Sequence, residues 1–191
     1  MSGPRKAVFL DRDGVINLNV FYDDTGRLEA PRTVSDLRLA DGAVDAMLRL
    51  QAAGWSLFIV SNQPNQALGK ASPADHQAIV EALSTHLCAA GVRIVEAFYC
   101  LHHPDGAHPT LGGPCDCRKP SPFFLKEAAR RWRIDLQASW MVGDRETDVA
   151  CGQRAGARTI RIAQRGQPSA ADHICDDLAQ AAHQLSLCIG P

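Results

Sequence analysis

The chain has 191 residues, 46% of them hydrophobic and 21% charged, with a formal net charge of -1; it can bury a sizeable core, and its length fits one domain spanning residues 1–191. Basic residues are scattered, which excludes the electrostatic footprint that nucleic acid or an anionic membrane requires, so any phosphate bound here is small and held by a few aimed groups. No run approaches the ~20 apolar residues of a membrane span, and Met1 to Lys6 leads into an apolar run too short for a signal-peptide core, so the expected setting is the cytoplasm; no heptads or exposed apolar stripe stand out to speak on assembly, and a monomer is the default expectation.

Ala7 to Leu10 is a short apolar run of strand type, followed at once by Asp11-Arg12-Asp13-Gly14. Leu18 to Asp36 is polar and reads as an irregular flap. Val44 to Ala53 has helical periodicity, and Ser56 to Val60 is the second strand, ending in Ser61-Asn62-Gln63. Pro73 to Ala90 follows as a long helix, with Ser72 as N-cap before a first-turn proline. Ala97 to Tyr99 is the third strand, and His102 to Pro114 is a loop rich in Gly, Pro and His. A structureless loop of that length in a compact domain usually has a function or a staple. A helix from Pro122 to Trp132, a strand from Trp140 to Val142, a helix from Thr147 to Ala155 and a strand from Thr159 to Ile162 complete the alternation. Ala171 to Cys175 adds a short late strand and a terminal helix starts at Asp177. Gly54, Gly91 and Gly156 stand where left-handed helix caps are wanted. Alternating strands and helices predict an α/β fold, a central parallel sheet covered by helices on both faces.

Seven cysteines divide into two groups: Cys100, Cys115 and Cys117 crowd one loop, whereas Cys88, Cys151, Cys175 and Cys188 sit among apolar neighbours. An odd count in a cytoplasmic chain argues against a disulfide framework, and the scattered four read as small core hydrophobes. Cys100-Leu101-His102 with Cys115-Asp116-Cys117 supplies three thiols and an imidazole, a set suited to tetrahedral zinc. Residues two apart in an extended segment point the same way, so each pair can present both ligands to one ion. An unrelated set of loop cysteines is the competing reading, because the spacing differs from that of C-x2-C fingers.

In an open parallel sheet ligands sit beyond the carboxyl ends of the strands. Four loaded segments lie there: Asp11 and Asp13; Ser61-Asn62-Gln63; Arg118-Lys119 before the helix at Pro122; and Gly143-Asp144-Arg145 with Asp148. Singly each has an ordinary explanation as a turn, a helix cap or a solvated lysine. In this order and at these positions they resemble the haloacid dehalogenase superfamily over nearly the whole chain. The resemblance implies a Rossmann-like three-layer αβα sandwich and a magnesium-dependent phosphomonoester hydrolase working through an aspartyl phosphate.

In that resemblance Asp11 is the nucleophile and Asp13 the general acid and base. Magnesium is held by the Asp11 carboxylate, the Asp13 carbonyl and Asp144, with Asp148 orienting a bound water. Ser61 donates to the phosphate with help from the Asn62 N–H, Gln63 joins the substrate-binding set, and Lys119 balances charge. A phosphate beside two carboxylates in a partly dry pocket needs that compensation. Asp13 also separates the chain from the dehalogenases of the superfamily, which lack a second aspartate. Neither interval between motifs has room for a cap domain, so a capless enzyme is expected.

The run from Cys100 to Gly106 ending in Cys115-Asp116-Cys117-Arg118-Lys119-Pro120 is similar to one branch, the heptose bisphosphate phosphatases and their relatives, the histidinol-phosphate phosphatase domains. The resemblance implies structural zinc on Cys100, His102, Cys115 and Cys117 in the loop 100–117, with His103 the competing imidazole and His108 solvated. Arg118 and Arg145 favour a substrate with a second anionic group, since arginine offers a planar fork to phosphate oxygens. A small phosphorylated sugar of the bisphosphate type is the expected substrate, and histidinol phosphate the alternative. The chain departs from the branch after Gln63, where it reads Pro64-Asn65-Gln66-Ala67-Leu68-Gly69-Lys70: Leu68 removes a basic residue, Lys70 is a candidate replacement, and Arg27 and Arg32 in the flap are candidate anion contacts.

Overall fold

The computed structural model describes residues 5–164 and 166–187. Its central feature is a six-stranded parallel sheet built from β1 (Ala7–Leu10), β4 (Ser56–Asn62), β5 (Ile94–Cys100), β6 (Trp140–Gly143), β7 (Arg158–Ile162) and β8 (His173–Cys175), in the spatial order β5-β4-β1-β6-β7-β8. From β1 the chain moves outward through β4 to β5, then returns across the sheet to β6 and moves outward the other way. β1 therefore sits at the topological switch point, where open α/β sheets form their ligand crevice. The register Leu10↔Ile59 and Leu10↔Val142 brings the ends of β1, β4 and β6 side by side.

Alternation along each strand divides the apolar side chains between two cores. Val8 and Leu10 pack with Met47 and Leu50 of α1 (Ala43–Ala52), Leu83 and Leu87 of α2 (Pro73–Ala89), and Leu185 of α5 (Leu178–Leu187). Ala7 and Phe9 pack with Phe58, with Leu125 and Ala128 of α3 (Phe123–Trp132), and with Cys151 of α4 (Glu146–Ala155). Burial of Phe9 and Leu10, both fully inaccessible, stabilises by about 1.5–3 kcal/mol each. The result is the three-layer αβα sandwich that alternation in the sequence predicts.

The predicted helices and sheet strands all form, most within one or two residues of the expected limits. Ser72 caps α2 as expected: its Oγ accepts the Asp75 N–H at 3.1 Å while the Asp75 carboxylate accepts the Ser72 N–H at 2.9 Å, an arrangement worth about 1 kcal/mol. Gly54, Gly91 and Gly156 all adopt positive φ. The flap differs from expectation. It is an ordered antiparallel hairpin, β2 (Val20–Tyr22) with β3 (Arg27–Glu29), followed by a 3-10 turn at Val34–Asp36. Asp23-Asp24-Thr25-Gly26 makes its turn, with Gly26 at φ 61° and its N–H on the Tyr22 carbonyl at 2.8 Å. Strands of three residues are too short for periodicity to detect. Cys88 is a second correction, because it is exposed on the outer side of α2 and not a core residue, whereas Cys151 and Cys175 are buried. Cys188 lies outside the described residues. No helix among the described residues is long and apolar enough to cross a membrane.

Candidate active site and metal loop

The four loaded segments meet at the carboxyl edge of the sheet. The Asp11 N–H bonds the Val142 carbonyl at 2.9 Å, extending the β1–β6 ladder by one step, so the Asp11 side chain is fixed by strand geometry. Its Oδ1 accepts from the Arg12 N–H at 2.7 Å and from Lys119 Nζ at 2.9 Å. Lys119 is 3% exposed and also meets Asp148 Oδ1 at 2.7 Å and the Val60 carbonyl at 2.7 Å. Burial opposes its charge, but Asp11 and Asp148 together hold its pKa above the ordinary lysine value. Its backbone is tied to the end of β4 by a reciprocal pair with the Asn62 side chain, at 3.0 and 3.1 Å.

Asp11, Asp144 and Asp148 place carboxylate oxygens within 4.8 Å of one another. Burial, then Asp11 and Asp148, push the Asp144 carboxyl up to about 7, with Arg145 and Lys119 opposing. Burial also raises Asp148, against Lys119. One lysine thus leaves the cluster short of positive charge. Asp148 is already engaged by Lys119 and by the Arg145 N–H at 3.0 Å, whereas buried Asp144 Oδ1 has no hydrogen-bond partner among the described residues and only a distant ion pair with Arg145 Nε at 3.9 Å. An orphaned carboxylate oxygen facing a second carboxylate fits a hard divalent cation. Gly14 leaves room for this arrangement. It sits at φ 79°, and a Cβ there would collide with the Asp144 carboxylate and the Asn19 amide.

Asp13 lies below, bound by Arg12 through Nε at 3.0 Å and Nη2 at 2.9 Å, by Asn17 Nδ2 at 2.9 Å, and by Gln63 Nε2 at 2.5 Å. Arg12 is fully buried. Gln63, expected among the substrate contacts, is itself buried and has its amide on Asp13, Ser61 and Arg12. Sequence reasoning missed Arg12, Asn17 and Asn19. The signal available was an arginine placed between two essential carboxylates, which a solvated side chain does not explain.

Above the carboxylates opens a cavity of about 460 Å³ lined by Asp11, Asp13, Asn62, Lys119 and Asp148 at its floor and by Arg27, Glu29, Lys70, His103, Arg118 and Arg145 at its rim. Lys70 meets Glu29 of the hairpin at 2.6 Å, and Asn65 Nδ2 donates to the Ala30 and Pro31 carbonyls. The loop after Gln63 thus holds the flap over the site. Arg32, a candidate anion contact, is committed elsewhere: it pairs with Asp24 at 2.7 Å and Glu29 at 3.0 Å and lies over the Tyr22 ring.

Cys100, His102, Cys115 and Cys117 form a second cluster suited to a metal ion. The Sγ–Sγ distances are 3.3, 3.6 and 3.7 Å, and His102 Nδ1 lies 3.7 Å from Cys117. These are close to the edges, about 3.8 Å, of a tetrahedron with metal–sulfur bonds of about 2.3 Å, and far from the ~2.05 Å of a disulfide. Without an ion, burial and the Cys117 thiol raise the Cys100 pKa. His103 lies outside the cluster, its Nδ1 accepting the Asp105 N–H at 3.1 Å. Arg118 Nη1 donates to the His102 carbonyl at 3.1 Å, linking the cluster to the cavity rim. His108 is only partly buried; its Nδ1 accepts the Thr110 N–H at 3.3 Å.

A parallel sheet carrying this acid–lysine constellation at its switch point defines a magnesium-dependent phosphatase of the haloacid dehalogenase class. A family model described as HAD-hydrolase-like matches residues 116–181. The chain is 34% identical over 179 residues to the D-glycero-beta-D-manno-heptose-1,7-bisphosphate 7-phosphatase of Escherichia coli K12, covering 91% of this chain and 90% of that protein. It is 33% identical over 164 residues to a D-glycero-alpha-D-manno-heptose-1,7-bisphosphate 7-phosphatase of Photorhabdus laumondii, covering 86% and 85%. The D,D-heptose 1,7-bisphosphate phosphatase of B. bronchiseptica, solved with magnesium and phosphate, superposes with a TM-score of 0.78 at 30% identity, covering 96% of this chain and 99% of that one. The chain belongs to the D-glycero-D-manno-heptose-1,7-bisphosphate 7-phosphatase family.

Proposed function

We propose that this protein removes the 7-phosphate of D-glycero-D-manno-heptose 1,7-bisphosphate, with the whole chain acting as one catalytic domain without a cap. The observation that carries the reading is the cavity in which Asp11, Asp13 and Lys119 form the floor and Arg27, Lys70, Arg118 and Arg145 the rim. The floor suits the transferring phosphate, and the arginines at the rim suit a second anionic group on the same substrate.

Asp11 attacks phosphorus while Asp13 gives a proton to the departing sugar oxygen, so the sugar leaves as an alcohol and Asp11 carries the phosphoryl group. Asp13, now a carboxylate, takes a proton from the water that attacks the aspartyl phosphate, which releases inorganic phosphate and restores Asp11. Magnesium, when held by the Asp11 and Asp144 carboxylates and the Asp13 carbonyl, supplies the positive charge that lets nucleophile and phosphate approach. Asp148 holds Lys119 and would orient a water on the bound metal. Lys119 neutralises Asp11, Ser61 donates its hydroxyl to the phosphate, and Asn62 keeps Lys119 in place while its N–H points to the phosphate. Cys100, His102, Cys115 and Cys117 would hold zinc, which would fix the loop that carries Arg118. Four protein ligands leave no open position, so its role is structural.

Asp11→Asn tests the chemistry: turnover of every phosphate ester should fall to background in a protein of unchanged fold, and substantial residual activity sinks the mechanism. A panel of the α and β anomers of heptose 1,7-bisphosphate, fructose 1,6-bisphosphate and histidinol phosphate tests the substrate. Highest kcat/KM for a heptose bisphosphate is expected; preference for histidinol phosphate overturns the assignment.

A further inference from the structure

We propose that Gln63 is the positioning residue that sets the hydrogen-bond polarity of the site, presenting both Ser61 and Asp13 in their reactive orientation, and that it does not contact the sugar. The inference rests on the roles of Asp13 and Ser61 given above. The Gln63 amide has one acceptor and two N–H donors, and the structure uses all three. Its Oε1 accepts from Arg12 Nη2 at 2.6 Å, and its Nε2 donates to Asp13 Oδ2 at 2.5 Å and to Ser61 Oγ at 3.0 Å. The amide cannot be flipped, because a guanidinium only donates and a carboxylate only accepts. Arg12, with 0% exposure, therefore fixes the amide, and the amide fixes the other two groups.

Two consequences follow for the chemistry. Ser61 Oγ already accepts from Gln63, so the hydroxyl proton remains free for an acceptor such as a phosphate oxygen. On Asp13, Oδ1 is filled by Arg12 Nε, Arg12 Nη2 and Asn17. Oδ2 takes its close bond from Gln63 and only a longer one, 3.2 Å, from Arg12. Oδ2 is thus the oxygen with capacity to carry the transferable proton, and Gln63 sets its direction. When that proton moves to the ester oxygen as the P–O bond breaks, the Gln63 N–H is in place to stabilise the charge left on Oδ2.

Gln63→Met keeps the length of the side chain and removes all three polar contacts. The measurement is kcat/KM, which reports the step in which the leaving group departs, for a series of simple aryl and alkyl phosphates without sugar. Wild-type and Asp13→Asn enzymes are run alongside. An alkoxide needs the proton and a nitrophenolate does not, so Gln63→Met should lose about tenfold or more on the alkyl esters relative to p-nitrophenyl phosphate. It should steepen the dependence on leaving-group pKa in the direction of Asp13→Asn. A purely structural role lowers every ester by one factor, and a sugar contact lowers only the sugar phosphate; an unchanged slope in Gln63→Met therefore overturns the proposal. If Asp13→Asn also leaves the slope unchanged, the general-acid reading falls with it. A slope that steepens in Asp13→Asn alone removes only the role of Gln63.

Discussion

Lys119→Met removes a buried cation that touches both Asp11 and Asp148, and its cost follows from the geometry. At 2.9 and 2.7 Å, each contact has a gross attraction of about 6 kcal/mol at an effective dielectric of about 20. Most of that is offset by desolvating the partners, and breaking a buried pair by deleting one member costs about 3–5 kcal/mol because the remaining charges stay buried and unpaired. The freed Val60 carbonyl, which now accepts from Nζ at 2.7 Å, adds about 1 kcal/mol. For a chain of this size each kcal/mol lowers Tm by about 2–4 °C, so the metal-free variant should melt at least ~8 °C below wild type. Magnesium, binding the folded cluster, should recover part of that difference. Phosphate release should fall by about 10²–10³, the usual loss when a group that stabilises transferring charge is deleted. Scanning calorimetry with and without magnesium, beside a phosphate-release assay, measures both. A Tm within about 2 °C of wild type together with kcat within tenfold would refute the assignment of Lys119 as the charge-balancing group.

Cys115→Ser should abolish zinc binding, read by metal analysis of the purified protein, and raise KM for a bisphosphate more than it lowers kcat, because Arg118 is anchored to the His102 carbonyl; unaltered zinc content or an unaltered KM contradicts the loop's role. Tyr22 of the hairpin offers a pH test. Burial, then its bond to Asp36 at 2.8 Å, pushes its pKa up to about 12. A raised folded value means that the stabilisation is complete below the unfolded pKa of about 10 and is lost as pH rises through about 12. In a Tyr99→Phe background the tyrosinate absorbance at 295 nm should therefore show no step near pH 10, and a full step there would show that the hairpin does not enclose Tyr22.

What was legible in the sequence was legible because one local rule sufficed. β1 announces itself by four consecutive apolar residues, all fully buried, and α2 by Ser72 and Pro73 at its start. The catalytic segments could be placed because strand ends in a parallel sheet converge whatever the strand order. Features that depend on which residues become neighbours were harder to see. Cys88 stands among apolar residues in the chain yet faces outward on α2, since α2 has more apolar positions than its buried face needs. Arg12 reads as a surface residue beside a turn, and its burial follows from the presence of three acceptors: the Asp13 carboxylate oxygens and the Gln63 carbonyl.

The flap shows the same limit in a form that bears on substrate choice. Glu29 precedes Asn65 and Lys70 by 36 and 41 positions, and nothing in the local sequence pairs it with them. In the fold the Lys70–Glu29 contact at 2.6 Å and the Asn65 bonds to the Ala30 and Pro31 carbonyls join the hairpin to the loop after Gln63. The Lys70 charge is shared with Glu29 while both line the cavity. The residue left to meet an anion from the hairpin side is Arg27, which also lines the cavity, whereas Arg32 is held between Asp24 and Glu29. Any anion contact made by Arg27 should therefore depend on the hairpin staying docked on the loop at residues 64–70 through these bonds.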